Sequence, residues 1–361
     1  MTRMLAVGLM SGTSLDGIDA ALIETDGERV FATGAALTAP YPPALRERVR
    51  ALLGGAPAER AAPVEADLTD AHAAAVEALL AHSGTPKSAI GVVGFHGHTI
   101  DHRPAEGRTW QIGDGARLAR ALGLPVVADF RSADVAAGGE GAPLAPLFHA
   151  ALAHGLERPL AVLNLGGVGN VTWIGPGTGP DGDLLAFDTG PGNALLDDWV
   201  RRHTGALYDA DGATARAGRV RQAVVDTLLA HPYFARRPPK SLDRNTFAAL
   251  ALDGLSVADG AATLVACTAA TVAAARDPMP AAPARWIVCG GGRRNPAIMD
   301  ALRTRLGVAV DPAEAVGWDG DALEAQAFGF LAVRALRGLP LSLPGTTGVR
   351  VPTPGGRRFG V

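Results

Sequence analysis

Two strand–turn–strand units constrain this chain more than any other feature. The first begins with an apolar strand, Met4 to Leu9. It turns through Met10-Ser11-Gly12-Thr13-Ser14 and continues as a second apolar run, Ile18 to Glu24, closed by Asp26-Gly27. The second runs over Leu160 to Leu165, turns at Gly166-Gly167 and returns over Val168 to Ile174. Strand-length apolar runs joined by glycine turns read as hairpins. Their recurrence in a 361-residue chain, too long for one ordinary core, predicts two α/β halves of related design. The likeness is architectural, with no residue-level repeat of fixed period.

The rest of the chain alternates strands and helices, as mixed α/β domains do. A third strand, Arg29 to Thr38, is followed by helical spacing over Leu45 to Leu53 and Glu65 to Ser83. The strand Ile90 to Phe95 ends at His96-Gly97-His98-Thr99. A helix over Gly115 to Leu122 precedes a strand from Pro125 to Phe130, and after a glycine loop Leu144 to His154 reads as helix. Leu184 to Phe187 is a strand, followed by Asp188-Thr189-Gly190-Pro191-Gly192-Asn193 and a helix through Val200. Arg285 to Cys289, Gly290-Gly291-Gly292 and a helix to Leu306 come next, and a helix from Asp321 to Gly338 is last. The expected first lobe is 1–130 plus 340–361, and the second is 131–339.

Hydrophobic residues make up 48% of the chain, enough for a core in each half, and the net charge of −3 argues against a general nucleic-acid binder. Two cysteines, Cys267 and Cys289, imply no disulfide framework and fit a reducing compartment. The N-terminal apolar run is too short for a signal peptide, and no stretch reaches the ~20 apolar residues of a membrane helix. A cytoplasmic location is expected.

The 46 glycines cluster. Glycine lets backbone N–H groups approach the phosphates of a nucleotide closely, and hydroxyls add neutral donors. Gly12, Thr13, Ser14, Leu15, Asp16, Gly17, Ile18 and Asp19 form one candidate ATP grip, in which Asp16 or Asp19 would orient Mg²⁺ through water. An ordinary hairpin turn is the alternative. Asn164, Gly166, Gly167 and Asn170 could hold the same phosphates from the opposite side, and Gly290, Gly291 and Gly292 could receive the adenosine. Gly138 to Pro143 reads as a flexible loop beside the substrate. No P-loop is present, and a Rossmann fingerprint is only poorly approximated. Four glycine clusters beside strand ends point to a nucleotide site.

Asp188, ending a buried-looking strand, is placed for general-base work on a nucleophile. An N-cap or turn role is its alternative. His96 and His98 could bond a polar substrate or be structural. Arg131 and Asp134 could fix a carboxylate and hydroxyls on a small acid sugar, or form a surface ion pair. Glu324, early in the last helix, faces solvent or reaches the site.

With these segments in hand, the sequence resembles the bacterial anhydro-N-acetylmuramic acid kinases. The matching stretches are Gly8 to Asp19, Gly94-Phe-His-Gly-His-Thr99, Gln111-Ile-Gly-Asp114, Asp129-Phe-Arg131, Asp134 and Gly138 to Leu144. Asn164-Leu-Gly-Gly167, Asn170, Asp188-Thr-Gly-Pro-Gly-Asn193, Pro239-Lys-Ser241 and Cys289 to Pro296 complete the set. The resemblance implies a two-lobed actin-like ATPase (ribonuclease H-like) α/β fold with ATP and substrate in the cleft between the lobes. It implies that water opens the 1,6-anhydro ring while O6 takes the γ-phosphate of ATP. Asp188 would activate that water, Glu324 would be the second catalytic carboxylate, and Gly12 to Asp19 with Asn295 would join the nucleotide contacts. His96, Gly97, Thr99, Arg131, Asp134, Gly141 and Asn193 would contact the sugar. A homodimer acting in cell-wall recycling is implied as well. Two positions depart from the family pattern, which has Gln at His98 and at Glu140; Glu140 would point away from an anionic substrate or be neutralised by Arg131. The rival readings are a kinase for an ordinary sugar or short-chain acid and a non-enzymatic ATP switch of the actin or chaperone kind.

Overall fold

The computed structural model describes residues 2–12, 15–177, 183–242, 246–247 and 249–360. Their strands are β1 (Met4–Ser11), β2 (Ile18–Thr25), β3 (Val30–Ala39), β4 (Ile90–Arg103), β5 (Arg108–Ile112), β6 (Val126–Ala128), β7 (Leu160–Leu165), β8 (Val168–Ile174), β9 (Leu184–Pro191), β10 (Arg285–Cys289), β11 (Ala309–Pro312) and β12 (Arg357–Phe359). The long helices are α1 (Ala58–Ser83), α2 (Ala194–Thr204), α3 (Val257–Ala274), α4 (Pro296–Leu306) and α5 (Leu323–Leu336).

The chain divides into two compact units, Met1–Gly155 with Ala322–Val361, and Leu156–Asp321. The break differs from the expected one. Residues 131–155 and the helix α5 fold with the first unit, because α5 packs on β1, β2 and β4.

In the first unit the sheet order is β12-β6-β4-β1-β2-β3, with β5 pairing β4. β1–β2 and β2–β3 are antiparallel, while β1–β4 and β4–β6 are parallel. In the second unit the order is β11-β10-β7-β8-β9. There β7–β8 and β8–β9 are antiparallel, and β7–β10 and β10–β11 are parallel. Numbered within each unit's core sheet, both read third, second, first, fourth, fifth, with the same directions. The paired hairpins in the sequence are therefore the first two strands of one topology used twice, the ribonuclease H-like order.

Each sheet carries its own apolar cluster. Val7, Leu9, Val93 and Phe95 meet Leu68, Val76 and Leu79 of α1 in the first unit. Leu163, Val171, Phe187 and Trp286 meet Leu264, Val265 and Leu302 in the second. α3 is long and apolar enough to cross a membrane, but 67% of it is buried inside the unit, as a core helix would be.

In the first unit α5 lies directly on the sheet. Gly8 of β1 pairs with Gly94 of β4. A Cβ on Gly8 would fall 1.7 Å from the Ala325 carbonyl oxygen, and one on Gly94 would fall 2.0 Å from that of Phe328. Two neighbouring strands thus leave bare backbone where the helix backbone sits. Arg334, buried in α5, locks the far end by donating to the carbonyls of Gly27 at 2.8 Å and Pro340 at 2.7 Å.

Because a helix backbone cannot yield as a side chain does, Gly94→Ala is expected to cost about 1–3 kcal/mol or more. For a chain of this size that lowers Tm by roughly 3–10 °C, measurable by thermal unfolding; an unchanged Tm would contradict the packing described.

Candidate active site

The second unit gathers three of the expected clusters. Register places Asn164 of β7 opposite Asn170 of β8, and Asn170 opposite Asp188 of β9. Directly opposed residues share a face of a sheet, so the two amides and the carboxylate form one polar row, with Cys289 of β10 next to Asn164. Asp188 lies inside β9, beyond the expected strand end, and does not cap α2, whose N-cap is Asn193. Its backbone N–H donates to the Lys240 carbonyl at 3.0 Å. Its Oδ2 accepts from the Leu242 N–H at 2.8 Å, and its carbonyl accepts from the Tyr233 hydroxyl at 2.5 Å. The carboxylate is therefore held from the backbone outward.

The glycine segments close around Asn193. Its backbone N–H donates to the Gly166 carbonyl at 2.7 Å, and that of Gly192 donates to the Gly167 carbonyl at 3.1 Å. Asn193 Nδ2 donates to the Leu165 carbonyl at 3.0 Å, while its Oδ1 is buried without a hydrogen-bond partner. A Cβ on Gly292 would lie 2.8 Å from that oxygen, and a Cβ on Gly291 3.2 Å from Nδ2. Gly290 adopts φ +73°, where a Cβ would strike Asn164 Oδ1 at 2.3 Å. An orphaned acceptor beside bare backbone suits a ligand that brings an N–H or O–H donor, as a nucleoside does. Asn295 is engaged as the N-cap of α4, with Oδ1 accepting from the Ala297 and Ile298 N–H groups.

The first unit holds the rest. Of the Gly12–Asp19 segment, Thr13 and Ser14 lie outside the described residues. Leu15 is buried with φ +60°, and its N–H donates to the Gly12 carbonyl at 3.0 Å. Asp16 is exposed. Asp19 sits in β2, where its Oδ1 accepts from the Thr38 hydroxyl at 2.6 Å. Gly17 packs against Thr38 and Ala39. Among the described residues no three metal-ligating side chains cluster.

β4 is longer than the sequence suggests and carries His96, Gly97, His98 and Thr99 within it. His96 Nδ1 lies 3.0 Å from the Gly97 carbonyl, so it carries the proton and donates. Nε2 is then left to accept from Arg131 Nε at 3.0 Å. Burial first, and then the Arg131 charge, push the His96 pKa well below its usual value, so the ring is neutral. Arg131 also donates from Nη1 to the Gly141 carbonyl at 2.6 Å. Burial lowers its pKa to about 10, opposed by the charges of Glu324 and Asp134, and it stays cationic at neutral pH. Asp134 is buried, accepting from the Gly141 N–H and from the Thr347 hydroxyl, each at 2.6 Å. It therefore shapes the 138–141 loop. The hydrogen bonds of Arg131 run to His96 and to the Gly141 carbonyl, one residue beyond Glu140. Thr99 accepts from Gln111 Nε2 at 3.2 Å. A cavity of about 240 Å³ opens beside His96, lined also by Gln111, Asp129, Ser132 and Arg357. Glu324 is exposed, the second residue of α5.

The profile of the anhydro-N-acetylmuramic acid kinase family matches residues 4–359. The chain belongs to that family. A relative named anhydro-N-acetylmuramic acid kinase from Rhodospirillum rubrum is 63% identical over 354 residues, covering 97% of this chain and 93% of the relative. One of the same name from Acidiphilium cryptum is 63% identical, covering 98% of each chain. Another, from Paramagnetospirillum magneticum, is 60% identical over 98% of this chain and 99% of its own. Among solved structures, component A of (R)-2-hydroxyglutaryl-CoA dehydratase from Acidaminococcus fermentans aligns at 12% identity and a TM-score of 0.49, over 92% of this chain and 98% of that one. That likeness carries no weight here, and the fold assignment rests on strand order and register.

Position 98 shows what a residue type alone cannot. His98 is fully buried, with Nδ1 3.2 Å from the Ser11 hydroxyl and 3.4 Å from that of Tyr41. Asp129, Gln111 and Ser132 were not singled out from the sequence as site residues. Asp129 carried a signal only in retrospect: it adopts φ +57°, a strained conformation for a residue that is not glycine.

Buried imidazoles give the first unit a pH signature. Burial lowers His72, His98 and His149 from 6.5 to about 4. Between those values the unfolded chain binds more protons than the folded one. Stability is therefore complete above about 6.5 and is lost as pH falls toward 4. Tm is expected to drop between about pH 7 and about pH 5, and His72→Leu should make that drop shallower. A pH-independent Tm across the window would contradict the burial of these rings.

Proposed function

We infer that this chain is an ATP-dependent kinase that opens 1,6-anhydro-N-acetylmuramic acid with water and phosphorylates O6. The observation that carries the reading is the fixed Asp188 at the end of the Asn164–Asn170 row, in a family named for that substrate. Water attacks C1, the C1–O6 bond breaks, and Asp188 takes the proton of the water. O6 takes the γ-phosphoryl group as the bond to ADP breaks, giving N-acetylmuramic acid 6-phosphate. A positioned base of this kind is worth about 10²–10⁴-fold. An ordinary sugar kinase needs no such group for water, because the substrate hydroxyl attacks directly.

Gly166, Gly167 and Gly290 to Gly292 support nucleotide binding in the second unit, with Asn193 Oδ1 taking a donor. In the first unit the turn from Gly12 to Asp19 is assigned to the phosphates. Mg²⁺, which would neutralise phosphate charge, keeps most of its waters and needs only one or two carboxylates. Asp16 and Asp19 fit that demand. Neutral His96 and cationic Arg131 are assigned to the sugar and its carboxylate, Asp134 to fixing the loop that carries Gly141, and Glu324 to the second carboxylate role. The family resemblance supports a homodimer working in the cytoplasm, returning cell-wall sugar to amino-sugar metabolism.

Incubation with ATP, Mg²⁺ and the anhydro sugar in ¹⁸O-water is expected to give a 6-phosphate labelled at C1. An unlabelled 6-phosphate would sink the ring-opening step. Asp188→Asn keeps the acceptor for Leu242 and should retain ATP binding while losing about 10²–10⁴-fold in kcat; near-normal turnover would remove Asp188 as the base. Arg131→Lys loses the fork that spans His96 and Gly141, so kcat/KM for the sugar should fall about 10–100-fold, the equivalent of one charged hydrogen bond. An unchanged kcat/KM would take Arg131 out of the sugar site.

A further inference from the structure

The second unit has a second cavity that the reaction does not use. It encloses about 480 Å³ and is lined by Phe187 and Thr189 of β9, by Arg236, Arg237 and Lys240, and by Thr271 and Asp277 among others. Phe187 and Thr189 flank Asp188 in sequence, and successive residues of a strand point to opposite faces. The cavity therefore lies across β9 from the Asp188 carboxylate.

Its charge is unbalanced. Among the described residues that line it, three are cations and one, Asp277, is a carboxylate. Lys240 is only 6% exposed. Two of its three N–H donors go to the carbonyls of Tyr233 at 3.2 Å and Phe234 at 3.4 Å. The ammonium also sits 4.6 Å from the centre of the Tyr233 ring and 5.7 Å from that of Phe187. Carbonyl dipoles and rings partly solvate the charge, yet among the described residues no carboxylate pairs with it. A buried ammonium without a counter-ion is costly. Burial and the nearby Arg236 charge accordingly lower its pKa. The Thr189 and Thr271 hydroxyls donate to the carbonyls of Gly169 and Thr268, so they offer an anion no proton. The anion-binding donors are the three basic side chains.

We propose that this cavity is a second anion site, taking phosphate either as the free ion or on a small sugar-sized body, with Lys240 Nζ at its floor and Arg236 and Arg237 at its rim. The exposed arginines draw the anion in, and Lys240 supplies its remaining N–H and its unpaired charge. The apolar walls, Phe187, Leu229, Phe234 and Pro278, accommodate the body that carries the phosphate. The same segment holds Asp188 through the Tyr233 hydroxyl, the Lys240 carbonyl and the Leu242 N–H. An occupant stiffens the strand from the side opposite the carboxylate. The site rests on the cavity and its charges, independently of the kinase reading.

The test is thermal unfolding of the full chain saturated with a non-hydrolysable ATP analogue, so that the nucleotide phosphates are already in place. Inorganic phosphate and glucose 6-phosphate are titrated separately at constant ionic strength, with chloride as control. A saturable rise in Tm is expected with at least one of them; response to phosphate alone assigns the free ion, and response to glucose 6-phosphate alone assigns the sugar-borne group. The half-saturating concentration should rise about tenfold or more in Arg236→Gln/Arg237→Gln and in Lys240→Met. If Lys240→Met fails to fold, the arginine variant, altered only at exposed positions, still decides. Its turnover without added anion should match the unaltered protein. No rise with either anion, or a rise of undiminished affinity in the arginine variant, would overturn the proposal.

Discussion

The first unit depends on a contact between two backbones. Gly8 and Gly94, paired across β1 and β4, put no side chain of their own between the sheet and α5. A helix normally rides on a layer of side chains; here it sits on the strands themselves, so its position is set by hard contacts with little freedom. That matters because α5 carries Glu324 in its first turn. The charge of Glu324 is felt by Arg131, whose guanidinium in turn fixes the tautomer of His96. Gly8, the first residue of the N-terminal stretch that resembles the family, is therefore a packing residue. β1 itself runs on to Ser11.

In the second unit the same strand order is used without that device. β7 and β10 carry Val162 opposite Ile287 and Leu163 opposite Val288, so their helices meet a layer of side chains. The glycines collect at the strand ends, around Asn193. In both units several candidate residues lie where parallel strands finish: Asn164 and Gly290 at the ends of β7 and β10, and Asp129 and Arg131 just past β6, whereas Asp188 lies in the antiparallel β9 and His96 within β4. Ligands of open α/β sheets bind outside the carboxyl ends of strands. Placement at those ends follows from topology, whereas the identity of each side chain sets the chemistry.

The hairpins and the parallel strands were legible because apolar runs bounded by glycine are local signals. Their pairing into a repeated topology was legible only as an analogy, since strand order is a property of distant contacts. The domain break was misplaced for the same reason: nothing in residues 322–339 announces that they pack on β1, β2 and β4 rather than on the sheet that precedes them in sequence. Asp188 stands out in the sequence as a candidate base at a strand end, but what restrains it in the structure comes from Tyr233, Lys240 and Leu242, about fifty positions away. Asp134 was chosen for its charge, and its geometry makes it a loop anchor instead. In each case residue type gave the candidate, and hydrogen-bond partners gave the role.

The placement of Asp188 also bears on why water, rather than the sugar hydroxyl, would be the nucleophile. A carboxylate on a flexible turn could follow a mobile proton. One within a strand, with its main chain bonded on both sides and one oxygen on a backbone N–H, cannot move far. Such a group activates a small molecule that comes to it, provided its other oxygen faces an open place. Asn164 and Asn170 beside it are neutral amides, able to orient water without quenching the carboxylate charge. A row of two amides and one acid across three strands can hold a small polar nucleophile at a fixed place. The discrimination between ring opening and direct phosphorylation comes from the substrate itself: in a 1,6-anhydro sugar O6 is tied to C1, so it has no proton for a base to take and becomes an acceptor only as water opens the ring.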